Sequence, residues 1–164
     1  MNAGPSFRIA GESDTDTLLK FMRAYYAYDG HGFEEAKARI ALTTLLRDSS
    51  LGRVWLILDG ATAVGYIAIC FGYSLEWLGR DAFIDEFYLR EESRGRGWGR
   101  MAMAFVEEEA RASGVTVLHL EVVRQNAAAL EIYRKLGYNE HASTLMSKWI
   151  AGNFSKPVGK ADTE

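Results

Sequence analysis

The stretch Arg94-Gly95-Arg96-Gly97-Trp98-Gly99-Arg100 decides the fold expected of this chain. It lies between an apolar run, residues 82–89, and a segment from about residue 100 to 113 whose apolar residues recur at helical spacing. Three glycines in five positions let the backbone curl around a bound group and approach it closely, at an entropic cost that a plain turn does not require. The helix behind them presents unpaired amides and the positive end of its dipole. Arg94, Arg96 and Arg100 add charge-assisted donors. Together these features describe an anion site suited to a pyrophosphate. The plainer alternative is an exposed basic loop that turns into a helix.

Working outward, residues 7–10 form a short strand candidate, and residues 13–16 (Ser-Asp-Thr-Asp) offer helix caps and first-turn carboxylates. Leu18, Leu19, Met22, Tyr25 and Tyr26 follow at helical spacing until Asp29-Gly30. A second helix fits residues 33–47, with Ala36, Ile40, Leu42, Leu45 and Leu46 as its apolar stripe. Residues 54–58 and 64–71 read as strands joined by a turn at Asp59-Gly60. Residues 72–81, rich in glycine and in Tyr73, Leu75 and Trp77, read as a loop before the strand 82–89. Beyond the glycine stretch and its helix come a strand at 115–123, a helix at 127–136 ended by Gly137, and a last strand at 145–150. This order predicts an α/β fold, a mixed central β-sheet flanked by helices on both faces, antiparallel early and with one parallel crossover.

Size and composition set the frame. The 164 residues suit one compact domain, expected over 1–150, followed by a tail at 151–164. A formal charge of −3 gives no reason to expect a nucleic-acid partner. Cys70, the single cysteine, rules out an internal disulfide and lies in an apolar run that favours a buried thiol. His31, His119 and His141 lack metal-ligand spacing, so no metal is expected, and His119 reads as structural or as a proton relay. No secretory signal or membrane-length apolar run is present, which leads us to expect a soluble cytoplasmic protein. An ordered tail would need partners, so a homodimer with the tail or the last strand at its contact is expected.

Two anion-site readings compete for the glycine stretch. Gly97, Gly99 and Ala102 have the spacing of a dinucleotide-binding turn, and Glu121 ends the next strand at nearly the right distance. That fingerprint starts directly after the first strand of a parallel domain, whereas here a charged segment intervenes, and two helices and a hairpin come first. The second reading fits better. Residues 83–138 resemble the acetyl-CoA-binding core of the GCN5-related N-acetyltransferases. That superfamily carries Gln or Arg, two residues, Gly, one residue, then Gly or Ala, matched here by Arg94, Gly97 and Gly99. Its later signature is matched by Asn126, Ala129, Leu130, Tyr133, Leu136, Gly137 and Tyr138.

The resemblance implies transfer of an acetyl group from acetyl-CoA to a primary amine by direct attack in a ternary complex. The alternative is a domain that binds acyl-CoA and regulates a partner without turnover. It further implies that backbone groups around Phe87, Tyr88 and Leu89 pair with the pantetheine arm as an added strand would. Amides of Gly95, Arg96, Gly97, Trp98, Gly99 and Arg100 would hold the pyrophosphate. Asn126 either caps the last helix or contacts the cofactor arm together with Ala129. Tyr133, which could otherwise merely pack, is implied to protonate the departing thiolate. A base is also expected, because a free alkylamine of pKa about 10.4 is protonated at neutral pH. Asp85 and Glu86 are the candidates, and as strand neighbours they should point to opposite faces. Asp85 is favoured, because related polyamine and aminoglycoside acetyltransferases carry a carboxylate two positions before the triplet matched by Phe87-Tyr88-Leu89. Salt bridges to nearby arginines are the alternative use of both carboxylates. Tyr25, Tyr26, Tyr28, Asp29, Tyr73, Glu76 and Trp77 either line the acceptor pocket or pack. The acceptor is a small-molecule or peptide amine that no motif names.

Overall fold

The computed structural model describes residues 4–30 and 32–151. It contains two compact units that meet in sequence at Leu120 and Glu121. In the first, β1 (Ser6–Ile9) is followed by α1 (Thr15–Tyr28), α2 (Glu35–Arg47), β2 (Gly52–Asp59), β3 (Thr62–Ser74), β4 (Gly79–Leu89), α3 (Trp98–Ala112) and β5 (Val115–His119). The five strands form one sheet in sequence order. All neighbours are antiparallel except β4 and β5, whose parallel pairing requires the α3 crossover. The expected mixed sheet is therefore present.

Side-chain alternation along β2 and β3 sorts the core into two layers. Val54, Leu56, Tyr66 and Ala68 meet Leu18, Leu19, Phe21 and Met22 of α1 and Leu42 of α2. On the opposite face Ile57, Val64 and Leu89 meet Trp98 and Ala102 of α3. Helices thus cover both faces, as expected. The stripe of α2 is rotated from the predicted one: Ala38, Leu42, Leu45 and Leu46 pack inward, whereas Ile40 is 71% exposed. The spacing i, i+4, i+7, i+8 fits one helix face better than a stripe that includes Ile40.

Two expected boundaries are corrected. Residues 72–81 are not a loop: the β3–β4 ladder runs on to Ser74 and Gly79 and leaves only residues 75–78 as the turn. Gly72 stands opposite Asp81, and a Cβ there would lie 2.5 Å from Asp81 Oδ1, so this glycine makes room for a side chain rather than for a turn. The strand expected at 115–123 ends at His119, where pairing with β4 stops at Phe83. The reason lies in β4. Ala68 pairs with Glu86 but Ile69 pairs with Ile84, so Asp85 is an extra, bulged residue that bends the strand away.

The second unit is built around α4 (Ala127–Lys135). The Asn126 side chain accepts a hydrogen bond from the Ala129 amide at 3.1 Å, an N-cap. The helix closes with Gly137 at φ 92°, Gly137 N–H donating to Arg134 and Tyr138 N–H to Tyr133, the paired bonds of a Schellman motif. The strand expected at 145–150 is absent: those residues form no ladder, and Leu145, Met146, Trp149 and Ile150 are exposed. An apolar run becomes a strand only where a neighbour completes its hydrogen bonds. The tail expected at a dimer contact falls on residues 152–164, outside the described residues apart from Ala151.

Candidate functional site

Beyond Phe83, the edge of β4 that faces away from β3 has no strand partner among the described residues. Arg90 N–H donates to Val64 of β3, so the even-numbered backbone groups at this end point toward β3. Phe87 and Leu89 therefore turn their N–H and C=O groups toward the open edge. This is the arrangement an extended ligand would use as an added strand. The Leu89 carbonyl accepts from Arg94 Nε at 2.9 Å and keeps a second lone pair.

Just past this edge comes a single 3-10 turn, Glu91–Ser93, and then the glycine stretch. Gly95 and Gly97 have φ 72° and 79°, a left-handed backbone that other residues resist. Gly97 is the N-cap of α3, with no side chain over the helix end. A Cβ at either position would meet nothing within 4 Å, so the loop faces open space. At Gly99 a Cβ would meet the Phe87 ring at an ordinary contact of 3.7 Å, so packing alone does not require glycine there. The amides of Trp98, Gly99 and Arg100 open the helix and have no intrahelical acceptor. The arginines divide the work. Arg94 lies over the Tyr28 ring at 4.9 Å and near Tyr88 at 5.8 Å. Arg96 pairs with Asp59 at 3.1 Å and stacks on Trp98 at 3.8 Å. Arg100 is exposed at the helix start. Two of the three expected anion donors are thus tied to protein groups, which leaves the first-turn backbone amides as the open donors of the loop.

The carboxylates of β4 occupy different settings. Asp85, the bulged residue, is exposed. Glu86 stands opposite Ala68 on the α1–α2 face and accepts a hydrogen bond from the Tyr66 hydroxyl at 2.6 Å. Tyr26 of α1 lies near Glu86, and burial with the facing carboxylates pushes its hydroxyl well above the usual phenol range. The Tyr66 ring is 2% exposed, and burial together with Glu86 drives its hydroxyl higher still. Both phenols therefore keep their protons and remain donors. The half-buried Cys70 thiol is pushed up to about 11, by desolvation first and then by Asp85 and Glu86. Farther along this face, Asp81 Oδ2 lies 3.6 Å from His119 Nε2, and His119 packs beside Phe83 and Trp77 at ring separations of 5.1 and 5.6 Å.

The first unit thus brings Glu86, Phe87, Tyr88 and Leu89 next to the loop Arg94 to Arg100, with Asp85 at the bulge between strand segments. The expectation that Asp85 and Glu86 alternate faces assumed a regular strand, which the bulge interrupts. Tyr66 was missed, because in sequence it is one apolar residue of a strand; its signal was the aromatic pair with Tyr88, 6.5 Å away across the ladder. In the second unit, Asn126 caps and Ala129 is the capped residue. Tyr133, half-buried, packs edge-on to Tyr138 at 5.9 Å, and burial raises its hydroxyl. Among the described residues no group of three His, Cys, Asp or Glu side chains is placed to hold a metal ion, and no helix is long and apolar enough to cross a membrane.

Known proteins match in the same places. Residues 16–138 match the model of the acetyltransferase (GNAT) family. A thialysine N-epsilon-acetyltransferase from Bos taurus is 36% identical over 79 residues, 48% of this chain and 46% of the relative. The chain thus spans just under half the length of the curated relatives it matches first. Integron cassette protein HFX_CASS3, from the mobile metagenome of Cole Harbour Salt Marsh, superposes with a TM-score of 0.79 at 31% identity, covering 90% of this chain and 91% of that one. A predicted acetyltransferase from Clostridium acetobutylicum, solved with acetyl-CoA, superposes with a TM-score of 0.74 at 17% identity over 88% of this chain and 96% of that one, a likeness of fold. The open edge of β4, the glycine stretch before α3 and the Asn126-to-Tyr138 signature all fall inside the matched region, and the chain belongs to the acetyltransferase (GNAT) family.

Proposed function

We propose that the protein is an N-acetyltransferase that moves an acetyl group from acetyl-CoA to a primary amine by direct attack, and that residues 1–150 form the catalytic domain. The observation that carries this reading is the open edge of β4 at Phe87 and Leu89, leading into the left-handed glycines and free first-turn amides of α3. An extended pantetheine arm suits the first and a pyrophosphate the second. Glu86 takes the role of base, directly or through one water, in preference to the exposed Asp85. On the face covered by α1 and α2, the Tyr66 hydroxyl donates to it at 2.6 Å and the Tyr26 hydroxyl lies close by. The amine nitrogen loses its proton toward Glu86 and bonds to the acyl carbon, the carbon–sulfur bond breaks, and the thiolate takes a proton. Tyr133 supplies that proton in the role the family resemblance implies, and its raised phenol holds the proton at neutral pH.

For the acceptor we propose a small cationic amine. Asp81, Asp85 and Glu86 put negative charge on one strand, and Asp81 Oδ1 is buried with no hydrogen-bond partner among the described residues. Under-compensated carboxylates favour a cation nearby. The terminal amine in the name of the thialysine N-epsilon-acetyltransferase relative agrees in kind. The test is thiol release from acetyl-CoA over a panel of di- and monoamines, amino acids and peptides. Amine-dependent release, strongest with dications, is expected. Release no faster than background hydrolysis across the panel, with acetyl-CoA still bound, would instead assign a non-catalytic acyl-CoA-binding role.

A further inference from the structure

Glu86 does not stand alone. The Tyr66 hydroxyl, on the neighbouring strand, donates to Glu86 Oε2 at 2.6 Å. Tyr66 is fixed by its surroundings: its ring is buried in the layer formed with Leu18, Phe21 and Leu56, parallel to Phe21 at 6.2 Å and tilted against Tyr88 at 6.5 Å. Such a side chain has a single rotamer available, so its hydroxyl is a fixed point in space. A carboxylate bonded to a fixed donor gains orientation and is favoured in its charged form. We infer that Tyr66 is a positioning residue for the transfer reaction, its hydroxyl holding the Glu86 carboxylate at a set angle, with the nearby Tyr26 as a second, weaker support.

The inference rests on the reading of Glu86 as the base, and deepens it. Other titratable groups facing Glu86 are Tyr25 and Tyr26 of α1, Cys70 of β3 and Asp85 of β4. The phenols stay protonated through the working range, and so does the Cys70 thiol, pushed up to about 11. Asp85 is a like charge beside Glu86, opposite in effect to a hydroxyl donor. The Tyr66 hydroxyl is a donor to the charged form of Glu86. The sign follows: removing a donor to the charged form raises the carboxylate pKa, and the acid limb of the rate profile moves to higher pH.

The experiment measures kcat/KM for the amine against pH in the full chain, for the wild type and for Tyr66→Phe, Tyr26→Phe and Glu86→Gln. Acetyl-CoA affinity is measured in parallel. Tyr66→Phe keeps the buried ring; the acid limb is expected to rise by about one to two pH units, with kcat about tenfold lower and acetyl-CoA affinity unchanged. Tyr26→Phe should shift the limb in the same direction by less, and it decides the matter if Tyr66→Phe fails to fold. Glu86→Gln should remove the limb. If Glu86→Gln removes it and neither phenylalanine variant moves it, Tyr66 only packs, and the inference is overturned while the base assignment stands. If Glu86→Gln leaves both limb and rate in place, the base assignment itself fails and this inference with it.

Discussion

Replacing Gly97 separates the backbone requirement of the loop proposed to hold the pyrophosphate from its electrostatics. The residue has φ 79° and caps α3, and a Cβ built on it meets nothing within 4 Å. The cost of a side chain is therefore conformational rather than steric. An L-residue in the left-handed region costs about 1–2 kcal/mol, and asparagine less, because it visits that region readily. For a chain of this size, that corresponds to a melting temperature lower by roughly 2–8 °C for Gly97→Ala, and by less for Gly97→Asn. Gly97→Asp carries a similar backbone cost and adds a negative charge at the mouth of the loop. Facing a phosphate at about 4–5 Å with an effective dielectric between 20 and 80, it opposes binding by roughly 1–4 kcal/mol, about 5- to 1000-fold in acetyl-CoA affinity. Calorimetric titration with acetyl-CoA and thermal unfolding of the same three variants give the two quantities side by side. The ranking expected is Asn nearest the wild type, Ala weaker in stability but still binding, and Asp folded but deficient in binding. Wild-type acetyl-CoA affinity in Gly97→Asp would refute the placement of the phosphates at this loop.

Tyr133→Phe keeps the ring packed on Tyr138 and removes only the hydroxyl. It is expected to lower kcat by about 10- to 100-fold with acetyl-CoA affinity nearly unchanged, and wild-type turnover on a confirmed amine would remove Tyr133 from the catalytic residues. Cys70, with its thiol pushed up to about 11, should react with iodoacetamide at pH 8 about tenfold more slowly than a free cysteine. Loss of thiolate is only partly offset by the higher nucleophilicity of the thiolate that remains, and a rate equal to that of free cysteine would contradict the burial seen on β3.

Some of this protein was fixed by local sequence. The glycine stretch had to be a tight turn into a helix, because left-handed backbone at Gly95 and Gly97 and open first-turn amides at α3 follow from composition and helix geometry alone. The Asn126 cap and the Gly137 stop were legible for the same reason: each is set by hydrogen bonds within a few residues. Non-local pairing decided the rest. Whether residues 72–81 were loop or strand depended on Gly72 facing Asp81 across the ladder, and the absence of a strand at 145–150 depended on whether a neighbour supplies hydrogen bonds to an otherwise suitable run. The choice between Asp85 and Glu86 turned on one bulged residue, which periodicity cannot register because two strands must be aligned before an extra residue becomes visible. Tyr66 shows the limit most plainly. Its sequence neighbours make it a strand residue, and only the fold, by laying β3 beside β4 under α1, brings its hydroxyl within 2.6 Å of Glu86.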